Sequence, residues 1–250
     1  MKTAIIIGAT SGIGREVALR LLEKGWTVGI AGRRADALEE IRARFGGEKV
    51  KVAAMDVMVD GAAGTLKQLL EETGAPDMFL YASGVGWQNR ELDGGKEIVM
   101  VRTNCEGMVR IVDGFLGYVR DHKDHYANTP AQVAVITSVA GTAGMGTAPA
   151  YSATKKMQST YLSALAQWAR MEKVPVRFSD IRPGFVRTGI LNPDKHYPIV
   201  MTVESAAGYI LRGLRRRRRI IIFDWRFRLI VLLWKLIPRP IWERITIVSN

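Results

Sequence analysis

The sequence is poor in cysteine, with Cys105 as its only one. A single thiol cannot close an internal disulfide, so the chain fits a reducing compartment, and we interpret Cys105 as a buried, inert thiol. The first residues, MKTAIIIGATSGIG, have an apolar run that stops after Ile7 at glycines. A signal peptide has a longer apolar core and a cleavage site. These absences predict a cytoplasmic protein.

The sequence also lacks an uninterrupted apolar run of the about 20 residues that cross a bilayer. The most apolar stretch, residues 220–237, is interrupted by Asp224, Arg226, Arg228 and Lys235. Each charge costs about 3 kcal/mol at the centre of a bilayer. We therefore do not expect a single-pass transmembrane helix.

Acidic residues are scarce in one region only, which is the C-terminal part of the chain. The whole chain has 36 Lys and Arg against 24 Asp and Glu, a net charge of +12. From Arg212 onward there are eleven basic residues and two acidic ones, so most of the excess lies there. A protein that coats nucleic acid does not typically concentrate its positive charge in one part of the chain, and no nucleic-acid partner is predicted.

Apolar runs alternate with helical patterns along the chain, which predicts an α/β protein with a parallel sheet and helices on both faces. The run Thr3–Ile7 is apolar throughout, as expected of a doubly buried strand. A long helical region is predicted over Lys96–Arg120 and a surface loop over Asp121–Pro130. We predict one catalytic domain over residues 1–223 and an amphipathic helical extension over residues 224–250.

The stretch GATSGIG, from Gly8 to Gly14, lies between the first predicted strand and the first predicted helix. Glycines there permit a tight turn and a close approach of the backbone to a pyrophosphate, while the helix N-terminus supplies free N–H groups. A glycine pattern alone is weak, but its position after a strand and before a helix is what a dinucleotide-binding loop requires.

The second predicted strand ends in AGRR, where dinucleotide folds that bind NAD place an acidic residue on the ribose hydroxyls. Here Gly32 is followed by Arg33 and Arg34, and Arg15, one turn into the first predicted helix, could add charge. A guanidinium binds a 2′-phosphate through charge-assisted hydrogen bonds, so NADP(H) is favoured over NAD(H). Arg34 can instead cap the next helix or lie in solvent at its start, and this interpretation suits Arg34 better than it suits Arg33.

The stretch YSATK places Tyr151 and Lys155 four residues apart on a predicted helix, so they share one face. A lysine cation close to a phenol favours the phenolate and lowers its pKa from about 10, which makes Tyr151 a candidate general acid or base. Ser138 ends an apolar strand, at the edge where such sheets bind ligands. Asn104 lies within the long middle helix, where a buried amide could open the helix and hold a water.

Together these motifs resemble those of the short-chain dehydrogenase/reductase family in order and spacing, from about Thr3 to Ala207. The matching motifs are GATSGIG, Asp56 in AMDV, Asn104, Ser138, YSATK and PGFVRT. The resemblance implies a Rossmann fold, with a doubly wound seven-stranded parallel sheet. With the arginines after the second strand, we predict NADP(H) as the cofactor, and we predict no metal site.

The resemblance also assigns roles to single residues. Tyr151 would donate the proton to a carbonyl, Lys155 would bind the nicotinamide ribose and tune the tyrosine, Ser138 would bond the substrate oxygen, and Asn104 would support a proton-relay water. The implied cofactor-binding residues are Gly8, Thr10, Ser11, Gly12, Ile13, Gly14, Arg33, Arg34, Asp56, Val57, Ala82, Ser83, Gly84, Asn104, Tyr151, Lys155, Pro183, Gly184, Val186 and Thr188. One departure is Ala82-Ser83-Gly84, which stands where the family usually has Asn-Ala-Gly.

The segment from Arg212 to Asn250 has three interpretations. Asp224 is a good N-cap after a last strand, Ile220–Phe223, and the helix after it mixes tryptophan, aliphatic and basic residues, as interfacial helices do. Anionic head groups attract basic residues near the surface by about 1 kcal/mol each. The alternatives are packing on the domain or on a second subunit, in a homodimer or homotetramer. Nucleic acid is disfavoured because the neighbours are aliphatic.

Our leading hypothesis is an NADPH-dependent carbonyl reductase acting on a lipophilic carbonyl or alcohol substrate, a keto-lipid or a steroid, peripherally at the cytoplasmic face of a membrane. Similarity to ketodihydrosphingosine reductases rests on the tail and on YPIVMTVESAA. The segments Val85–Asp93 and Gly189–Val200 are expected to shape the pocket. The alternatives are a soluble small-carbonyl reductase with a dimerising tail, and a non-enzymatic NADP(H)-binding regulatory protein, against which the intact Ser138, Tyr151 and Lys155 argue.

Overall fold

Seven parallel strands form a single sheet in the computed structural model, which describes residues 2–191, 197 and 199–245. The strand order is β3-β2-β1-β4-β5-β6-β7, so the winding reverses between β1 and β4. The strands are β1 (Thr3–Ile7), β2 (Thr27–Gly32), β3 (Val50–Ala54), β4 (Met78–Tyr81), β5 (Ala131–Ile136), β6 (Val176–Arg182) and β7 (Ile220–Ile222). This confirms the predicted doubly wound Rossmann fold. The reversal creates a crevice at the carboxyl ends of β1 and β4, where such sheets bind ligands.

Helices cover both faces of the sheet. Successive residues of β1 point to opposite faces, so Ile5 and Ile7 join one apolar cluster while Ala4 and Ile6 join the other. The helices are α1 (Gly12–Glu23), α2 (Ala35–Phe45), α3 (Ala62–Thr73), α4 (Gly94–Val101), α5 (Gly107–Asp121), α6 (Lys123–Tyr126), α7 (Pro149–Met171), α8 (Val203–Arg215), α9 (Trp225–Leu236) and α10 (Arg239–Trp242). The last four residues of β1, Ala4–Ile7, are fully buried between these layers and are all apolar.

The long middle helix is interrupted by a π-helical segment, Arg102–Glu106, between α4 and α5. The prediction of a helical region over Lys96–Arg120 holds, and this change of winding lies where a buried Asn104 was expected to open the helix. Asn104 lies in the π segment and is fully buried. π turns of this kind occur mostly at functional sites.

The predicted surface loop Asp121–Pro130 is wrong in part. It contains the short helix α6, and Tyr126 at its end is buried, with its hydroxyl donating to the Pro76 carbonyl at 3.3 Å. The polar residues around Tyr126 masked this anchor, because a single aromatic residue makes no periodic pattern.

The arginine run, Arg215–Arg219, lies at the amino ends of the strands, away from the crevice. The Ser179 hydroxyl near the middle of β6 donates to the Arg218 carbonyl at 2.8 Å, and Gln132 at the start of β5 donates to the Leu214 carbonyl at 3.0 Å. β7 then runs parallel to β6, so the chain leaves β7 at the carboxyl ends of the strands. The run and α9 therefore lie at opposite ends of β7.

Helix α9 begins at the crevice edge, where the Asp224 carboxylate accepts from the Arg226 backbone N–H at 2.8 Å, as predicted for an N-cap. Among the described residues, no helix combines the length and the apolar character needed to span a bilayer. Residues 246–250 of the predicted extension, and residues 192–196 and 198 of the predicted pocket segment, lie outside the described residues.

Candidate active site

A cleft of about 790 Å³ opens at the carboxyl ends of the strands, around the β1–β4 crevice. Nearly all the residues that the sequence proposes for cofactor and catalysis meet there; Asn104 and Arg34 do not line it. The predicted residues that line the cleft are Gly8, Thr10, Ser11, Gly12, Ile13, Gly14, Arg33, Asp56, Val57, Ala82, Ser83, Gly84, Ser138, Tyr151, Lys155, Pro183, Gly184, Val186 and Thr188.

The glycine loop brings the start of α1 against the backbone at the end of β4. A Cβ on Gly8, which has a φ of +92°, would lie 2.6 Å from the Ser83 nitrogen, and a Cβ on Gly14 would overlap the Gly8 carbonyl oxygen. Ser11 is the N-cap of α1, yet among the described residues its side chain makes no capping hydrogen bond. The first-turn N–H groups of α1 therefore remain for a ligand. This cradle fits a pyrophosphate.

The three arginines near this loop differ in their partners. Arg33 is exposed, lines the cleft and has no ion-pair or hydrogen-bond partner within the described part of the chain. The Arg34 guanidinium donates to the carbonyl and hydroxyl of Thr10, at 3.0 and 3.2 Å, and so braces the glycine loop. Arg15 is paired with Glu40 at 3.0 Å. Arg33 is thus the cation left to meet an anionic ligand.

Tyr151 and Lys155 lie in the first turns of α7, beside Ser138 at the end of β5. The Lys155 ammonium lies 5.8 Å from the centroid of the Tyr151 ring and donates to the Ile136 carbonyl at 3.0 Å. Ser138 lies close enough to Tyr151 for its hydroxyl to lower the tyrosine pKa, and the Ser138 oxygen accepts from the Ala140 N–H at 3.1 Å. The predicted triad is therefore assembled on one wall of the cleft.

Burial dominates the protonation of this pair. It raises the pKa of Tyr151, and the hydrogen bond from Ser138 only partly offsets that rise. The expected lowering of the tyrosine pKa by Lys155 is therefore wrong for this structure, because desolvation of the phenolate is the larger effect. Burial also lowers the pKa of Lys155 to about 8, against smaller opposing effects of Cys105 and Asp180. A protonated Tyr151 is the form that can donate a proton.

Asn104 holds the loop after β4 instead of facing the cleft. Its amide oxygen accepts from the Val85 N–H at 2.9 Å, and its amide nitrogen donates to the Val85 carbonyl at 2.8 Å and to the Thr154 hydroxyl at 3.1 Å. Gly84 allows this approach, since a Cβ there would lie 3.2 Å from the Asn104 oxygen. Asn104 thus steadies the loop in which Ala82 lacks the usual asparagine side chain.

The sequence matches the family described as short chain dehydrogenase over residues 2–197, most of the chain. The chain belongs to the short-chain dehydrogenase family. It is 27% identical over 248 residues to an uncharacterised oxidoreductase of Myxococcus xanthus, covering 97% of this chain and 95% of that protein. It is 25% identical to dehydrogenase/reductase SDR family member 7B of Bos taurus, covering 74% of this chain and 58% of that protein.

A solved structure of a short-chain dehydrogenase from Novosphingobium aromaticivorans shares the fold, with a TM-score of 0.78 at 18% identity over 95% of this chain and 88% of that one. Members of the short-chain dehydrogenase family are oxidoreductases that use nicotinamide cofactors. Use of a nicotinamide cofactor by the family is consistent with the glycine-loop cradle in this cleft.

Helix α9 supplies a wall of the short-chain dehydrogenase cleft that the sequence did not reveal. Its inner face consists of Phe227, Ile230, Val231 and Trp234, whose spacing of three, four and seven residues places them on one side of the helix. Three of these line the cleft, and Phe227 and Val231 pack on Val139 next to Ser138. The spacing of these apolar residues was visible in the sequence. The surface that they cover depends on where β7 ends, because α9 begins there.

Glu97 is a second residue that sequence reasoning missed. Its carboxylate accepts from the backbone N–H of Ala150 at 2.8 Å and from the amide of buried Asn89 at 2.7 Å. α7 has no side-chain cap from its own N-cap residue Ala148 among the described contacts. Glu97 therefore caps the helix directly before Tyr151, in a way that no local sequence signal announces.

Proposed function

We propose that this short-chain dehydrogenase is an NADPH-dependent reductase that converts the carbonyl of a lipophilic substrate, a keto-lipid or a steroid, into an alcohol. The observation that carries the proposal is the meeting of Ser138, Tyr151 and Lys155 in a cleft whose wall beside them is the apolar inner face of α9. Polar groups at one point of an otherwise apolar cleft fix the orientation of an apolar molecule with one polar end.

The residues of the site suit proton transfer to a carbonyl oxygen. Ser138 would donate a hydrogen bond to that oxygen, and Tyr151, kept protonated by burial, would deliver the proton. The ammonium of Lys155 would stabilise the tyrosinate that remains, at the short range shown by its position beside the ring. The nicotinamide, when bound, supplies the hydride. Pro183, with Gly184, Val186 and Thr188, would hold it.

The remaining cofactor residues suit the other parts of a dinucleotide. The glycine loop would bind the pyrophosphate, Asp56 and Val57 would flank the adenine, and Lys155 would also bind the nicotinamide ribose. Preference for NADPH rests on Arg33, which is exposed at the cleft and unpaired among the described residues. A guanidinium at the end of β2 attracts a 2′-phosphate, whereas a carboxylate there would repel it.

The preference for a lipophilic substrate rests on the inner face of α9 and its neighbours. Phe185 packs on the ring of Phe227 with centroids 6.1 Å apart, and Ile199 joins the same cluster. A small hydrophilic carbonyl compound would leave this surface facing water. Apolar surface removed from water contributes about 25 cal/mol per Å², so a long apolar substrate gains affinity here.

Membrane contact is proposed through the outer face of α9, which consists of Trp225, Leu229, Leu232, Leu233 and Leu236. All five are exposed, from 48% at Leu229 to 71% at Leu236. Basic residues lie on the same helix and would meet anionic head groups. The arginine run lies at the other end of β7 from this apolar face, so we narrow the proposed membrane contact from residues 212–250 to α9. The competing occupant of this face is a second subunit.

A substrate screen tests the proposal. Keto-lipids, steroids and small carbonyl compounds are offered with NADPH, and its oxidation is followed by absorbance in the unaltered protein and in Tyr151→Phe. Turnover of apolar carbonyls that Tyr151→Phe abolishes supports the reductase. Turnover of small polar carbonyls alone favours the soluble reductase with a dimerising tail. NADPH binding without turnover across the panel favours a regulatory protein.

A further inference from the structure

Gln158 joins Lys155 to the π segment across a buried gap. Its side chain is fully buried, one turn after Lys155 on α7. The amide oxygen accepts from the Lys155 ammonium at 3.0 Å, and the amide nitrogen donates to the Asn104 backbone carbonyl at 2.7 Å. Both ends of the amide are therefore satisfied by groups of the candidate site.

The chemistry of the two partners fixes the orientation of this amide. An ammonium only donates hydrogen bonds and a carbonyl only accepts them, so the oxygen of Gln158 must face Lys155 and its NH₂ must face Asn104. The opposite orientation would bury two donors against each other and two acceptors against each other, which is unfavourable. The orientation of the Gln158 amide is thus set by the Lys155 ammonium on one side and the Asn104 carbonyl on the other.

The ammonium of Lys155 has three donors, and acceptors among the described residues take two of them. These are the Ile136 carbonyl and the Gln158 amide oxygen, both at 3.0 Å. The third donor is left for the cleft that Lys155 lines. The charged and titratable groups around Lys155 are Tyr151 on α7, Cys105 in the π segment and Asp180 on β6.

We propose that Gln158 is a positioning residue, which fixes Lys155 by spanning the gap to the Asn104 carbonyl in the place of a bridging water. The inference rests on the proposed function, in which Lys155 stabilises the tyrosinate. An amide accepts and donates hydrogen bonds but does not pass a proton on as a water does. The link therefore holds Lys155 in place without passing protons to Asn104.

Two substitutions of nearly equal volume test this role. Gln158→Met removes the acceptor and should lower the pKa of Lys155 by about one unit, since a hydrogen bond to the charged form is lost. Gln158→Glu places a carboxylate against the ammonium and should raise that pKa by about one unit or more. Gln167→Met makes the same change at an exposed position of α7 and should leave it unmoved.

The pKa of Lys155 is read by NMR titration of protein labelled at the lysine Cε, with the resonance assigned through Lys155→Met. The alkaline limb of the pH profile of kcat/KM should move the same way, to lower pH in Gln158→Met and to higher pH in Gln158→Glu. In the unaltered protein, the side-chain NH₂ of Gln158 should exchange slowly with solvent.

Lower thermal stability with an unmoved Lys155 pKa in both variants would show that Gln158 only fills the core, and would overturn the inference. If neither variant folds, rapid exchange of the Gln158 NH₂ in the unaltered protein overturns it instead. A protein that binds NADPH but reduces no carbonyl defeats the proposed function. Shifted Lys155 titrations in that same protein would still establish the hold of Gln158 on Lys155.

Discussion

The ring of Phe227 lies so close against the backbone of Gly184 that any Cβ at position 184 would overlap it. This contact fixes α9 to the segment after β6, and it brings the inner face of α9 into the cleft. A second tie lies farther along the chain, where the Trp242 indole donates to the Gly144 carbonyl at 2.6 Å. The tail is therefore part of the site and not an appendage.

Removing the Phe227 ring should change substrate binding more than cofactor binding. Phe227→Ala deletes a buried aromatic side chain, a change that costs about 3–5 kcal/mol in a rigid core. Here we expect α9 to loosen, so that KM for an apolar substrate rises severalfold while Kd for NADPH stays within about twofold. Steady-state kinetics and fluorescence titration measure the two quantities. Leu229→Ala, on the exposed side of the same helix, is the control, and equal effects of both variants would contradict the prediction.

Arg33 and Arg34 should separate in their effects on the two cofactors. Arg33→Ala should weaken NADPH by about tenfold or more, because hydrogen bonds to charged groups contribute about 1.5–3 kcal/mol each, and should leave NADH nearly unchanged. Arg34→Ala should weaken both cofactors alike, since Arg34 braces Thr10 in the glycine loop. Calorimetric titration with each cofactor measures this. Parallel losses for Arg33→Ala would remove the phosphate role.

Tyr151→Phe should abolish carbonyl reduction and leave NADPH binding within about twofold of the unaltered protein. The substitution removes only the hydroxyl that donates the proton, while the ring still packs on Gly86. Stopped-flow measurement of NADPH oxidation gives the rate, and equilibrium titration gives the affinity. Undiminished turnover in this variant would refute the assignment of Tyr151.

Activity and stability should respond in opposite directions as pH rises above about 8, the pKa of buried Lys155. Activity should fall, because Lys155 loses the charge that stabilises the tyrosinate. The folded pKa of Lys155 lies below its usual value, so the unfolded chain binds more protons between about 8 and 10.5, and stability rises over that range. Below about 8 the cost of burying the ammonium is fully present.

Lys155→Met makes this linkage measurable. The substitution removes the buried charge, so any gain in Tm over the unaltered protein should be largest below about pH 8 and shrink towards pH 10.5. Thermal unfolding followed by circular dichroism at several pH values gives the comparison. A difference in Tm that does not vary with pH would show that Lys155 keeps an ordinary pKa.

Binding to anionic liposomes should depend on the outer face of α9 and little on the arginine run. Leu232→Ser with Leu236→Ser removes apolar surface at the two most exposed leucines of that face. We expect it to reduce pelleting with vesicles of anionic lipid. Arg216→Gln with Arg218→Gln changes the arginine run at the other end of β7 and is the control. Pelleting lost only in the arginine variant, or absent in the unaltered protein, would contradict the membrane proposal.

Much of the fold and part of the site could be predicted because their signals are local. The glycine loop, the Tyr151–Lys155 spacing and the apolar strands each depend on neighbours within a few residues. The contacts of Gln158 with Asn104 and of Glu97 with Ala150 join residues 54 and 53 positions apart, and only the assembled topology brings them together. Asn104 suggested an opening of the middle helix, but the bounds of the π turn, Arg102–Glu106, were hidden because its residues are helical in either winding.

That interruption also sets the rotational phase of the middle helix. An α-helix turns about 100° per residue, so one residue too many would rotate everything after it off the core. The wider π turn absorbs that residue, which lets α4 present Met100 to the interior while α5 presents Met108 and Ile111. Deleting a single residue between positions 102 and 106 would therefore force a choice. Either Asn104 loses its hydrogen bonds to Val85 and Thr154, or one of the two helices turns its apolar face to solvent.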